Sequence, residues 1–278
     1  MLAAKTHLTF ALALWYKSFM ISRKACYASA VCALLAFEFR LSADTVTLRP
    51  VADATLFEAS PNNNLGDDGT FMAGLRPKGG RSRGLLRFDL TRLPANIVIN
   101  SAALTLTVTT TPPISPAFPN PAPSSTFDLH RVTQAWVEGN KPSSYGGMPA
   151  SLGEVTWNSA LTSETRWQNP GGDFVPTVTA SHFIAGNGSY TFSSTPNLMS
   201  DVQTWHDNPA SNFGWILMSE SEGVSRTVRR FASRESGSQG PSLVVNFTVV
   251  PEPGTLALWG MAAAFLLGGC CRRSRDRR

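Results

Sequence analysis

Between residues 44 and 253 the chain has no cysteine; Cys26, Cys32, Cys270 and Cys271 all lie near its ends. No disulfide can staple that interval, so its stability must come from a buried core. About 205 residues can supply one as a single all-β domain. Catalytic signatures are missing as well: there is no His-Glu-x-x-His, no Gly-x-Ser-x-Gly and no glycine-rich phosphate loop. Histidine is scarce. Only His130, His182 and His206 fall in the interval, without metal-ligand spacing, and they read as surface or strand histidines. A glycosidase's carboxylate pair is a spatial relation, which spacing along the chain does not exclude. Excess positive charge also disappears once the ends are set aside. The whole chain is formally +5, but ten of its 24 basic residues lie in 1–43 and 272–278. Residues 44–253 hold 14 basic against 17 acidic side chains, a net −3. That balance removes the argument for nucleic acid as a partner. No internal repeat is found.

What is present at the two ends is targeting chemistry. Met20-Ile-Ser-Arg-Lys24 is a basic stretch, Ala25 to Phe37 an apolar run, and Leu41-Ser-Ala43 a passable cleavage site. Together they make a signal peptide. Residues 1–19 precede this unit, so either the true start is Met20 or the leader is long; the completeness of residues 20–43 favours Met20. At the other end, Val250-Pro-Glu-Pro-Gly254 cannot extend a strand or sit inside a helix, because proline fixes φ and has no N–H. The uncharged segment 254–271 follows, near the lower limit of about 17–25 residues for a transmembrane helix. Five arginines and one aspartate complete the tail and hold that end on the cytoplasmic side.

This tripartite tail closely resembles the PEP-CTERM sorting signal of Gram-negative bacteria. The matching residues are Val250, Pro251, Glu252, Pro253 and Gly254, then the apolar helix and the arginine-rich end. The resemblance implies recognition by an exosortase at the inner membrane and cleavage near Pro-Glu-Pro. Delivery to the cell surface or an exopolysaccharide matrix would follow.

The body, 44–249, reads as short strands separated by turns. Strands are expected at Thr45–Arg49, Thr70–Gly74, Gly84–Leu90, Ile97–Thr110, Thr126–Val132, Val155–Trp157, Phe174–Ala180 and Gly188–Phe192. Phe213–Met218, Arg226–Ala232 and Ser242–Val249 close the series. Asp53 to Gly69 reads as loop, and residues 111–125, with six prolines, as a second loop. In the long run Ile97–Thr110, Ala102, Leu104, Leu106 and Val108 share one face. One helix is expected, capped by Ser194 or Thr195, with Pro196 in its first turn and Asn208-Pro209 at its end. The pattern argues for an all-β, antiparallel β-sandwich with one short helix.

In order along 44–249, several segments resemble the DNRLRE-type, or disaggregatase-related, domain. They include Val51–Thr55 with Asn62–Gly66, Arg83–Leu90, Ser101–Leu106 and Val132–Trp136. Val155–Asn158, Asp201–Trp205, Phe213–Leu217 and Arg230–Glu235 continue the series. The resemblance implies a jelly-roll sandwich like those of carbohydrate-binding modules, on extracellular proteins linked to acidic polysaccharides.

Candidate site residues follow. Arg76, Lys78, Arg81 and Arg83 crowd one turn and could grip the carboxylates of an anionic glycan, for which arginine offers a planar fork. A solvated hairpin end is the plainer reading. Trp167, beside Gln168-Asn-Pro-Gly-Gly172, is the best exposed ring for stacking on sugar; Trp205 and Trp215 belong to the core. Asp53, Asn64, Asp67 and Asp68 offer oxygens to a structural calcium, although turn chemistry explains them equally well. Arg230 to Glu235 should bond to the first loops in a structural role. The expectation is a non-catalytic, exported protein that binds or organises exopolysaccharide. A polysaccharide lyase or hydrolase and a purely structural matrix protein are the alternatives.

Overall fold

The computed structural model describes residues 43–142 and 146–250. The leader, the Pro-Glu-Pro segment and the apolar tail lie outside the described residues. The described chain forms a compact unit, Ala43–Val249. It opens with β1 (Ala43–Leu48) and β2 (Pro50–Phe57), then a two-residue β3 (Asn63–Asn64), β4 (Thr70–Leu75) and β5 (Arg81–Phe88). The long β6 (Ile97–Thr110), β7 (Ser125–Val132) and the short β8 (Met148–Pro149), β9 (Ser159–Leu161) and β10 (Thr165–Arg166) follow. Next come β11 (Phe174–Ile184), β12 (Gly188–Phe192) and the helix α1 (Pro196–Asp207). The last strands are β13 (Trp215–Ser219), β14 (Arg229–Ala232) and β15 (Ser242–Val249).

Eleven strands make one curled antiparallel sheet, in the order β1-β15-β6-β14-β4-β5-β13-β7-β11, with β12 on β6 and β2 on β5. Two strands are shared along their length. Leu104 of β6 pairs with Phe192 on one edge and Leu243 on the other. Leu86 of β5 pairs with Asp53 and with Trp215. β4 joins the two halves: Thr70 to Ala73 pair with β14, and Gly74 and Leu75 pair with β5. The switch falls on Gly74, with φ of +107°. A Cβ there would lie 2.7 Å from the carbonyl oxygen of Thr227, so only glycine fits.

Period-two alternation builds the core. Ala102, Leu104, Leu106 and Val108 of β6 are buried, as are Leu243, Val245 and Phe247 of β15. They share one apolar cluster with Leu86, Phe127, Leu129, Trp215 and Leu217 from the other half. Each fully buried Leu, Val or Phe contributes about 1.5–3 kcal/mol. The helix forms as its signals predict: Thr195 Oγ1 accepts the Leu198 N–H at 3.0 Å, and Pro196 occupies the first turn. Leu198, Val202 and Trp205 enter the core, and the Asp201 carboxylate accepts the Trp215 indole N–H at 2.9 Å.

Two local expectations are corrected. The loop expected from Asp53 begins later, because Pro50–Phe57 is a strand with Ala52, Ala54 and Leu56 on one face. Val155–Trp157 is not a strand: Val155 and Thr156 donate to the carbonyls of Val137 (2.8 Å) and Ser159 (2.8 Å). That segment belongs to the insertion between β7 and β11, which covers the outer face of β2, β5 and β13. Trp136, Val155, Trp157 and Trp167 pack there on Ala52, Ala54, Leu56, Leu85 and Ile216. The proline-rich connection 111–124 is also tied down. Proline supplies a carbonyl but no N–H, so the segment has surplus acceptors. Arg226 donates to the carbonyls of Asn120 (2.9 Å) and Pro113 (3.1 Å), and Arg229 to that of Pro123 (2.6 Å).

Among the described residues every strand pair and every apolar cluster lies inside Ala43–Val249.

Candidate functional site

Two of the four basic residues in the turn between β4 and β5 are paired with carboxylates of the same chain. Arg81 donates to Glu58 at 2.6 Å, and that contact holds the Glu58 carboxyl below its usual range. Arg83 makes a bidentate pair with Glu222, two bonds of 2.8 Å, and donates to the Gly171 carbonyl at 3.0 Å. Its guanidinium lies over the rings of Trp157 (5.1 Å) and Phe174 (5.7 Å). Arg76 stands over Phe57 at 5.4 Å, and Lys78 is exposed. Arg83 thus anchors the sheet to the insertion, while Arg81, with its side chain 37 % exposed, pairs with Glu58 at the surface. Glu222 is 139 positions from Arg83, so nothing local in the sequence announces the pair.

Trp167 is corrected from an exposed ring to a buried one. It is 4 % exposed, and its indole N–H donates to the Thr156 carbonyl at 2.9 Å. Trp136 is likewise buried, donating to Phe213 O at 2.8 Å, and Trp157 is 4 % exposed. These rings seal the insertion onto the sheet; they form no exposed platform. Trp205 and Trp215 are in the core as expected, with ring centroids 4.6 Å apart.

Of the four calcium candidates, Asn64 and Asp68 each hold a buried oxygen without a hydrogen-bond partner, Asn64 Oδ1 and Asp68 Oδ2, while Asp53 and Asp67 are placed differently. Asp53 is 2 % exposed, and its Oδ2 accepts the Arg234 N–H at 2.7 Å. Burial pushes its carboxyl up to about 8. Asn64 turns its NH2 to the carbonyls of Glu138 (2.7 Å) and Val155 (2.9 Å). Asp67 is exposed, and among the described residues no three His, Cys, Asp or Glu side chains converge on one point. What surrounds Asp53 is a latch. Glu138, raised chiefly by burial, accepts the Asp53 N–H and the Arg234 Nε–H, each at 2.7 Å. Arg234 also pairs with Glu235 at 2.8 Å. The structural role expected for 230–235 is therefore carried by Arg234, which ties β2 to the insertion.

A cleft lies elsewhere, between the start of β2, the turn after β5 and the C-terminal end of α1. Its volume is about 540 Å³, and Val51, Leu90, Ala95 and Trp205 supply apolar wall. Arg87, Asp89, His206 and Asn212 supply polar groups. The turn is fixed by Asp89, whose carboxylate accepts the Thr91 N–H and hydroxyl, both at 2.9 Å. Arg87 lies over Trp136 at 5.3 Å. Asn212 donates its NH2 to the Phe88 carbonyl at 2.8 Å, which leaves its Oδ1 without a partner. The Trp205 indole N–H has no partner either. Both atoms are buried behind the cleft lining, and a buried polar atom left unpaired costs about 1–3 kcal/mol. The sequence placed Trp205 in the core and His206 on the surface; that both border one cleft depends on the helix ending beside β5.

Neither a scan against protein-family models nor a search of curated proteins returns a match to this chain.

Proposed function

We propose that this is an exported, surface-sorted, non-catalytic protein whose body is a jelly-roll-like β-sandwich that holds polysaccharide. The observation that carries the reading is where the compact unit stops. It runs Ala43–Val249, so it begins at the signal-like cleavage residue and ends beside Val250-Pro-Glu-Pro-Gly254. A compact body bounded by two targeting-like segments is the architecture expected of a doubly processed surface protein. The sorting machinery is an exosortase in the inner membrane, and the destination is the cell surface or its matrix. The curled sheet, with both halves facing one core, supports the sandwich. A holding role suits this body better than hydrolysis. Asp53 and Glu138, the two acids that burial raises, face Arg234 and the insertion and do not line the cleft. Intact-mass analysis of the surface fraction tests the processing. A mature chain starting near Ala43 and lacking the arginine tail is expected; full-length chains ending in Arg278 would overturn it.

A further inference from the structure

We infer that Asn187 is a site of self-modification: its side-chain amide is lost by cyclisation onto the Gly188 nitrogen, leaving isoaspartate or aspartate. Asn187-Gly188 is the one Asn-Gly pair in the chain, and it lies in the turn between β11 and β12. The turn is pinned just before that pair. Arg229 donates to the Ala185 carbonyl at 2.9 Å, and the Tyr190 hydroxyl accepts the Gly186 N–H at 3.1 Å and donates to the Gly186 carbonyl at 2.9 Å. Asn187 itself is exposed, and its side chain has no hydrogen-bond partner among the described residues. Gly188 follows at φ +142°, with nothing within 4 Å of where a Cβ would stand, so no side chain impedes ring closure. The reaction needs only water. The Gly188 nitrogen attacks Asn187 Cγ; that C–N bond forms, the Cγ–Nδ2 bond breaks, and ammonia leaves with the Gly188 proton. Water then opens the succinimide at one carbonyl or the other, and a neutral side chain becomes a negative one. Two other asparagines precede a small residue, serine, and both are tied down. Asn158 donates to Asn62 Oδ1 at 2.9 Å, and the nitrogen that would attack it, Ser159 N, donates to Thr156 Oγ1 at 3.0 Å. Asn100 donates to Thr248 Oγ1 at 2.7 Å from within β6. Asparagine is a thermolabile residue, and the fold leaves Asn187 unprotected where it protects these two.

The test holds the full chain at mildly alkaline pH, one portion folded and one unfolded in urea. Peptides are then mapped by mass and by isoaspartyl methyltransferase labelling, with Asn187→Gln run alongside. In the folded portion, loss of the Asn187 amide is expected, with isoaspartate gained at 187 and Asn100 and Asn158 unchanged. The folded Asn187→Gln chain should take no label in the same peptide. The urea portion sets the clock, because there sequence alone decides the rate. An Asn187 that keeps its amide in the folded chain after the urea portion has converted would overturn the inference. So would conversion of Asn100 or Asn158 in the folded chain as fast as Asn187, because the fold would then not be selecting the site. Neither result depends on the polysaccharide reading.

Discussion

Asp53→Asn should make the protein more stable at neutral pH, although it removes a buried, hydrogen-bonded carboxyl. Asp53 is 2 % exposed beside Glu138 and Glu235, and burial raises its carboxyl from 3.8 to about 8. Above pH 3.8 the unfolded chain has given up this proton, whereas the folded protein keeps it until about pH 8. Folding then takes up a proton, so stability from this group falls as pH rises through that window and levels off above it. At about 1.36 kcal/mol per unit, the loss by pH 7 is about 4 kcal/mol. Asparagine has the shape of the neutral acid, and its Oδ1 still accepts the Arg234 N–H. Urea denaturation of Ala43–Val249 at half-unit steps from pH 5 to 9 reads the effect. Wild type should lose stability across the range more steeply than Asp53→Asn, and the variant should be the more stable at pH 8. Equal slopes, or a variant less stable at pH 8, would refute the reasoning.

Three further perturbations follow from the packing. Glu222→Gln strands Arg83, whose side chain is 9 % exposed, and should cost about 3–5 kcal/mol in urea denaturation. Gly74→Ala puts a Cβ against the Thr227 carbonyl at φ +107°; strain of about 1–3 kcal/mol should lower the thermal midpoint in calorimetry. Trp167→Ala opens a hole between the insertion and the sheet. It should cost about 3–5 kcal/mol of stability, with unchanged polysaccharide affinity by calorimetry where it folds.

Much of the scaffold was readable because its rules are local. β6 is buried at every second residue from Ala102 to Val108, and α1 starts at Thr195-Pro196 as its cap requires. β2 was misread because its apolar face is mostly small, Ala52, Ala54 and Leu56, and its other face buries the polar Asp53 and Thr55. Thr55 earns its place by accepting the Met72 N–H at 3.0 Å, a contact with another strand. The site was less legible for the same reason. Arg83 and Glu222 meet, and Trp205 and Asp89 come to border one cleft, only once the chain has folded. A cluster of basic residues in sequence therefore says little about free charge. Trp167 sits in a glycine-rich, turn-like stretch that suggested exposure, yet that stretch lets the chain fold back to bury the ring.

The most direct test of the central claim is native affinity electrophoresis of Ala43–Val249 through gels cast with neutral glucan or alginate, followed by a reducing-end assay of the polymer. The account predicts retardation by at least one polymer with no new reducing ends. Unchanged migration in every gel, or retardation accompanied by released reducing ends, would contradict it.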